Sequence, residues 1–162
     1  MYKRQDKGGA VVWHNKVGRG GFLGGVHWGM SANAESLFVP IADTTITGRF
    51  TGPVSPGIHA LDPTSGEVRW YTPSVADCDG KSPIPVCDQG MSAAITSTDQ
   101  LVFAGSLDGN LNVYDSLSGE ILWSFDTFGD FESVSGDTAL GGSIESDGPV
   151  LYKGPVLINS GY

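Results

Sequence analysis

Basic residues are scarce: 9 Lys and Arg stand against 18 Asp and Glu in 162 residues, a formal charge of -9. A surface of that sign repels nucleic-acid backbones and anionic lipid, so neither is an expected partner, and plain solubility is the ordinary use of such charge. Long apolar runs are also missing. None approaches the ~20 residues that cross a bilayer, which excludes a membrane span by helices. No apolar stretch of a secretory leader follows Met1-Tyr2-Lys3-Arg4-Gln5. Helical stripes are absent too: no window of a dozen residues holds an apolar stripe at 3.6 spacing without a Gly or Pro inside it. Cysteine is limited to Cys78 and Cys87. Their spacing is not Cys-x-x-Cys-His, so covalent haem attachment within this stretch is excluded. His14, His27 and His59 show no zinc-binding spacing. The two cysteines are read as a disulfide closing a small loop or as two free thiols; a bridge implies an oxidising compartment such as a bacterial periplasm.

What is present is turn chemistry and short apolar runs. The chain has 24 Gly and 9 Pro scattered among hydrophobic residues that make up 40% of it, the composition of many short strands joined by tight turns. One stretch reads Ile58-His59-Ala60-Leu61-Asp62-Pro63-Thr64-Ser65-Gly66-Glu67-Val68-Arg69-Trp70, and another Leu111-Asn112-Val113-Tyr114-Asp115-Ser116-Leu117-Ser118-Gly119-Glu120-Ile121-Leu122-Trp123. Asp62 and Asp115, Gly66 and Gly119, and Trp70 and Trp123 are each 53 positions apart, and Val11-Val12-Trp13 repeats the closing segment. The pattern predicts a β-hairpin: Asp caps the turn, Gly supplies its positive φ, and the Trp of each unit anchors contact with a neighbouring sheet. Upstream, Trp28-Gly29-Met30-Ser31-Ala32 precedes Leu37-Phe38-Val39-Pro40-Ile41, and Gly90-Met91-Ser92-Ala93-Ala94 precedes Leu101-Val102-Phe103-Ala104-Gly105.

Each full unit is therefore expected to hold four strands, near 27–33, 36–42, 57–62 and 67–72 in one copy and near 90–97, 101–106, 110–115 and 120–126 in the other. Residues 10–17 read as the last strand of a preceding unit, and 142–162 as the opening of a following one. Four-stranded units at a period of roughly 50–60 residues predict an all-β partial β-propeller, with blades at 27–72 and 90–126 and partial blades on either side. A ring typically needs four to eight blades, so a longer parent is expected, and a complete two-sheet β-domain is the alternative. Both ends read as cut. Residues 1–5 resemble a non-native leader and are set aside, leaving 6–162 as the domain.

The Asp-to-Trp repeat resembles the tryptophan-docking motif of quinoprotein propellers, with Ala60, Asp62, Gly66 and Trp70 in one copy and Val113 in place of the Ala in the other. The runs Gly24-Gly25-Val26-His27-Trp28-Gly29-Met30, Gly105-Ser106-Leu107-Asp108-Gly109, Gly141-Gly142-Ser143-Ile144, Phe125-Asp126-Thr127 and Asn159-Ser160-Gly161-Tyr162 are similar, in that order, to polyvinyl-alcohol dehydrogenases within that superfamily. The resemblance implies an eight-bladed parent propeller carrying pyrroloquinoline quinone and a divalent cation, usually Ca²⁺, on its axis. It implies oxidation of an alcohol in the periplasm, with electrons passing to a c-type cytochrome or haem domain.

By the same resemblance, Gly24-Gly25-Val26-His27-Trp28 matches a Gly-Gly-x-x-Trp motif whose indole supports the quinone, making Trp28 the first cofactor-binding candidate. A structural Trp between blades is its alternative. His27, Ser92 and Asp147 are further cofactor-binding candidates near the axis, each with an ordinary strand or turn residue as the alternative. Asp43 follows a strand where the family carries a metal-binding Asn; it is a sound Ca²⁺ ligand or a turn cap. Among Ser143, Glu145 and Asp147 one acid could supply a base, yet no general base is named. Two other readings use the same repeat: an outer-membrane assembly lipoprotein scaffold without quinone, and a kinase-associated sensor propeller.

Overall fold

The computed structural model describes the backbone of residues 2–5 and, in full, residues 8–44, 50–81 and 87–161; Met1, Asp6, Lys7 and Tyr162 of the sequence reading lie outside it. Every described strand is short, two to six residues long. Tyr2–Gln5 (β1) and Val11–Asn15 (β2) pair as a hairpin. Ser31–Ala32 (β3), Leu37–Ile41 (β4), Gly57–Leu61 (β5) and Val68–Pro73 (β6) form one antiparallel sheet in chain order. Thr96–Ser97 (β7), Leu101–Gly105 (β8), Asn110–Asp115 (β9) and Ile121–Asp126 (β10) form a second of the same topology. Gly129–Glu132 (β11) pairs with Thr138–Gly141 (β12), and Val150–Leu151 (β13) with Val156–Leu157 (β14). This is the all-β, two-blade propeller arrangement expected from the repeat.

The Asp-to-Trp segments occupy the same place in each sheet. Trp70 lies opposite Ala60 and Trp123 opposite Val113, and in both hairpins the register shifts beside that pair. Asp62 accepts hydrogen bonds from the Thr64 and Ser65 amides (2.7 and 3.0 Å), and Asp115 from the Leu117 and Ser118 amides (2.9 and 2.8 Å). These bonds, with the Thr64 hydroxyl and Arg69, hold the Asp62 carboxyl far below the usual carboxylate range. Gly66 and Gly119 sit at φ +77° and +75°, where a Cβ would be strained. Residues 2–5, set aside in the sequence reading, belong to the fold: Trp13 lies opposite Arg4 with the same adjacent register shift.

The tryptophans join successive units. Trp13 Nε1–H donates to the Pro63 carbonyl (3.2 Å), and Trp70 Nε1–H donates to the Ser116 carbonyl (3.1 Å). Each indole lies against the turn glycine of the next hairpin, Trp13 against Gly66 and Trp70 against Gly119. Asn15 Nδ2–H donates to the Gly66 carbonyl and the Thr72 hydroxyl to the Gly119 carbonyl, both at 2.7 Å. Deeper in, Phe38, Ile58 and Ala60 of the first sheet pack with Met91, Val102, Ala104 and Tyr114 of the second. Val39, Ile41 and Leu61 pack back toward Trp13, and Leu111 and Ala93 forward toward Ile144 and Ile158. Sheets therefore stack face to face, each burying one side against the last and one against the next.

Two expectations need correction. The innermost strands were read as 27–33 and 90–97, but only residues 31–32 and 96–97 pair as strand within their own sheets. The residues before them divide their main-chain bonds between sheets: the Gly90 carbonyl accepts from Leu107 N–H (3.0 Å), whereas Met91 N–H donates to Ile41 of the preceding sheet (3.2 Å). The β11–β12 hairpin was not anticipated. Its residues are largely exposed and carry no copy of the repeat.

Cys78 and Cys87 are joined by a disulfide between the two sheets' sequences, in the loop after β6. Lys81 in that loop bonds to the Asp108 carbonyl (2.8 Å) and to Asp126 (3.1 Å), fastening it to the second sheet. Reducing the bridge frees a loop of about ten residues, so chain-entropy reasoning predicts a loss of about 2–3 kcal/mol. Urea unfolding with and without reductant checks this; a midpoint indifferent to reductant overturns it.

His59, on β5, is 5% exposed and stacks on Tyr71, with ring centroids 4.2 Å apart. Its Nδ1 has no hydrogen-bond partner among the described residues. Burial lowers its pKa to about 4, against a weaker opposing pull from Asp43. The folded chain therefore keeps His59 neutral while the unfolded chain takes up a proton below the ordinary value near 6.5. Stability should fall as pH drops from about 6.5 to about 4, by on the order of 1–2 kcal/mol, and His59→Leu should flatten that slope. Denaturant midpoints at pH 7 and pH 4.5 for both proteins test it.

Candidate functional site on the inner segments

Main-chain bonds set the correspondence between successive inner segments. Ala42 N–H donates to the Gly25 carbonyl (2.7 Å) just as Leu107 N–H donates to the Gly90 carbonyl, and Ile144 N–H donates to Ser106 (3.1 Å) just as Met91 N–H donates to Ile41. Gly25, Gly90 and Ser143 are thus equivalent, as are Val26, Met91 and Ile144. The next position holds His27, Ser92 and Glu145. The Gly-Met-Ser triplets that catch the eye in the sequence, Gly29-Met30-Ser31 and Gly90-Met91-Ser92, are offset by four residues from this alignment.

The three equivalent side chains meet. His27 Nδ1 lies 2.8 Å from Ser92 Oγ, and the Ser92 hydroxyl donates to Glu145 Oε1 at 3.0 Å. His27 Nδ1 and Glu145 Oε1 are 3.5 Å apart, an ion-pair distance when the imidazole is protonated. Ser92 is fully buried, while the His27 and Glu145 side chains are 33% and 27% exposed. Glu145 was grouped in the sequence with Ser143 and Asp147, and its meeting with His27 and Ser92 was missed. The shared Gly-or-Ser, apolar, polar pattern at 25–27, 90–92 and 143–145 carries the signal.

Trp28 follows His27, and its indole is 53% exposed and not enclosed between sheets. The indole lies against the His27 ring, with centroids 5.1 Å apart, and the main-chain N–H of Trp28 donates to the Ser92 carbonyl (3.3 Å). Trp28, His27 and Ser92 are therefore brought together. Asp147 is exposed, two residues beyond Glu145.

Asp43 sits apart from this cluster and is fully buried. Its Oδ2 accepts from Arg19 N–H (2.6 Å) and Ser55 N–H (3.2 Å), and Oδ1 from Gly20 N–H (2.9 Å). Asp108 at the equivalent place in the second sheet also ties loops together, accepting from Asp77 N–H (3.0 Å) and Asn110 N–H (3.1 Å). Three amide protons converge on Asp43 and occupy most of its lone-pair positions, and among the described residues no His, Cys, Asp or Glu group completes a cation site with it. Among the described residues no group of three His, Cys, Asp or Glu side chains could hold a metal ion.

Comparison with known proteins places this geometry in context. The PQQ_2 family model, described as outer membrane protein assembly factor BamB, matches residues 3–143. A polyvinylalcohol dehydrogenase of a Pseudomonas species is 35% identical over 97% of this chain and 24% of its own length. One from Sphingopyxis sp. (strain 113P3) is 32% identical over 95% of this chain and 23% of its own length. A 1-butanol dehydrogenase (cytochrome c) of Thauera butanivorans is 31% identical over 64% of this chain and 14% of its own length. The crystal structure of BamB from Moraxella catarrhalis superposes with a TM-score of 0.57 at 16% identity, over 94% of this chain and 34% of that one. The chain spans about a quarter of the length of the two polyvinylalcohol dehydrogenases.

Proposed function

The chain belongs to the PQQ-repeat family of quinoprotein β-propellers, and from that premise we propose that it forms part of the propeller of a pyrroloquinoline-quinone-dependent alcohol dehydrogenase. The observation that carries this reading is likeness to polyvinylalcohol dehydrogenases along 97% and 95% of the chain. The substrate is then a secondary alcohol such as polyvinyl alcohol, and the electron acceptor a c-type cytochrome. An extracytoplasmic site of action is in keeping with the Cys78–Cys87 bridge. The remaining blades of an eight-bladed ring belong to the longer protein.

The residues present fit a planar quinone. Trp28 offers a broad, accessible aromatic face on the inner segment, and His27 and Ser92 bring polar atoms beside it. Bound there, the quinone supplies the two-electron oxidant, chemistry that no side chain provides. Trp28 orients the ring plane by stacking, and the His27–Ser92–Glu145 chain holds fixed polar groups next to it. Asp147 stands at the rim as a further cofactor contact. Ca²⁺, which the family likeness also suggests, must draw its ligands from residues other than Asp43.

The test uses the full-length protein that contains this chain, loaded with pyrroloquinoline quinone. Expected results are saturable quinone binding, dye-linked oxidation of a secondary alcohol, and binding at least about 10-fold weaker in Trp28→Ala. Absence of quinone binding overturns the reading and favours a peptide-holding scaffold, the second reading, which the family description supports.

A further inference from the structure

We propose that His27 is the proton acceptor of the hub, held in one tautomer by Ser92 and supported through it by Glu145, so that three blades each contribute one member of a single relay. The assignment as acceptor for a substrate hydroxyl rests on the dehydrogenase reading; the relay itself does not.

Hydrogen-bond valence fixes the direction. Glu145 as a carboxylate only accepts, and a serine hydroxyl has one proton to give. That proton goes to Glu145 Oε1 at 3.0 Å. If His27 Nδ1 carried a lone pair, the 2.8 Å contact with Ser92 Oγ would place two acceptors face to face with no proton between them. Nδ1 must therefore carry the proton and donate to Ser92. In the neutral ring this leaves Nε2 with the free lone pair. The arrangement follows the logic by which a carboxylate orients a catalytic imidazole, with a buried hydroxyl inserted between them.

Placement suits the role. Ser92 is fully buried and cannot exchange its partners for water, whereas His27 is one-third exposed beside the accessible Trp28 indole. When Nε2 takes a proton, the positive charge falls 3.5 Å from the Glu145 carboxylate, which stabilises it. Glu145 is the charged side chain within ion-pair distance of His27 among the described residues. In alcohol oxidation Nε2 would take the hydroxyl proton, and a bound quinone would be the two-electron acceptor for the carbon-bound hydrogen and its electron pair, so charge and electrons balance.

Two measurements decide it. In ¹⁵N imidazole spectra of the full-length protein, His27 is expected in the Nδ1–H form. Ser92→Ala should mix the tautomers. An Nε2–H ring, or a Ser92→Ala protein with an unchanged tautomer, overturns the relay. In the protein saturated with quinone, His27→Gln should cut kcat by about 10²-fold or more and abolish the acidic limb of the pH–rate profile. Retained kcat and an unaltered limb overturn the acceptor role. If the unsubstituted protein oxidises no alcohol, the dehydrogenase reading fails alone, and the spectra still decide the relay.

Discussion

Trp70→Ala should lower the unfolding free energy of this chain by about 3–5 kcal/mol, whereas Trp123→Ala should change it by less than about 1 kcal/mol. The two residues occupy equivalent positions in successive hairpins and differ only in what covers them. Trp70 packs against Phe38 and the core between sheets, presses on Gly119 and donates to Ser116. Removing it opens a cavity between two rigid sheets and strands a carbonyl, neither of which can relax cheaply. Trp123 is 51% exposed and stacks only on Phe125 of its own strand at a centroid distance of 5.9 Å. Urea unfolding followed by circular dichroism measures both. Equal losses would mean that inter-sheet contact contributes little, and the wedge architecture would lose its energetic basis.

The second large effect is expected at Asp43. Asp43→Ala should cost about 3 kcal/mol or more, and the loss should be the same in EDTA and in millimolar Ca²⁺. The substitution strips the charged acceptor from three buried or half-buried amides on two loops, those of Arg19, Gly20 and Ser55. No water can replace a fully buried carboxylate without reopening the loops. Thermal unfolding in the two buffers separates the roles. A wild-type midpoint that rises with Ca²⁺, and a variant whose midpoint does not, would restore the metal assignment that the sequence allowed.

The hairpins were legible in the sequence because their causes are local. Asp62 and Asp115 cap turns within three residues, and Gly66 and Gly119 are required by φ, so the chemistry is written in adjacent letters. The inner segments were harder to read. The matching Gly-Met-Ser letters suggested one alignment, but position there is fixed by bonds to neighbouring sheets, which place Gly25 with Gly90. Once that alignment is wrong, His27, Ser92 and Glu145 fall out of register, and their contact across 65 and 53 positions has no signature in any one window. Asp43 was read as a Ca²⁺ ligand or a turn cap, and its partners, 12 to 24 residues away in loops without a motif, had no local signal. The β11–β12 hairpin is outside the repeat and could not be inferred from it.

The indole-on-glycine contacts also give the stack a direction. Each Asp-to-Trp hairpin presents its indole as a plug on one side and its turn glycine as a socket on the other: Trp13 fills the place at Gly66 and Trp70 the place at Gly119. An apolar cleft of about 450 Å³ is lined by Phe103, Leu111, Val113, Trp123 and Ile158. Such head-to-tail complementarity is heterologous: it propagates until rotation brings the last plug round to the first socket, and otherwise it grows without limit.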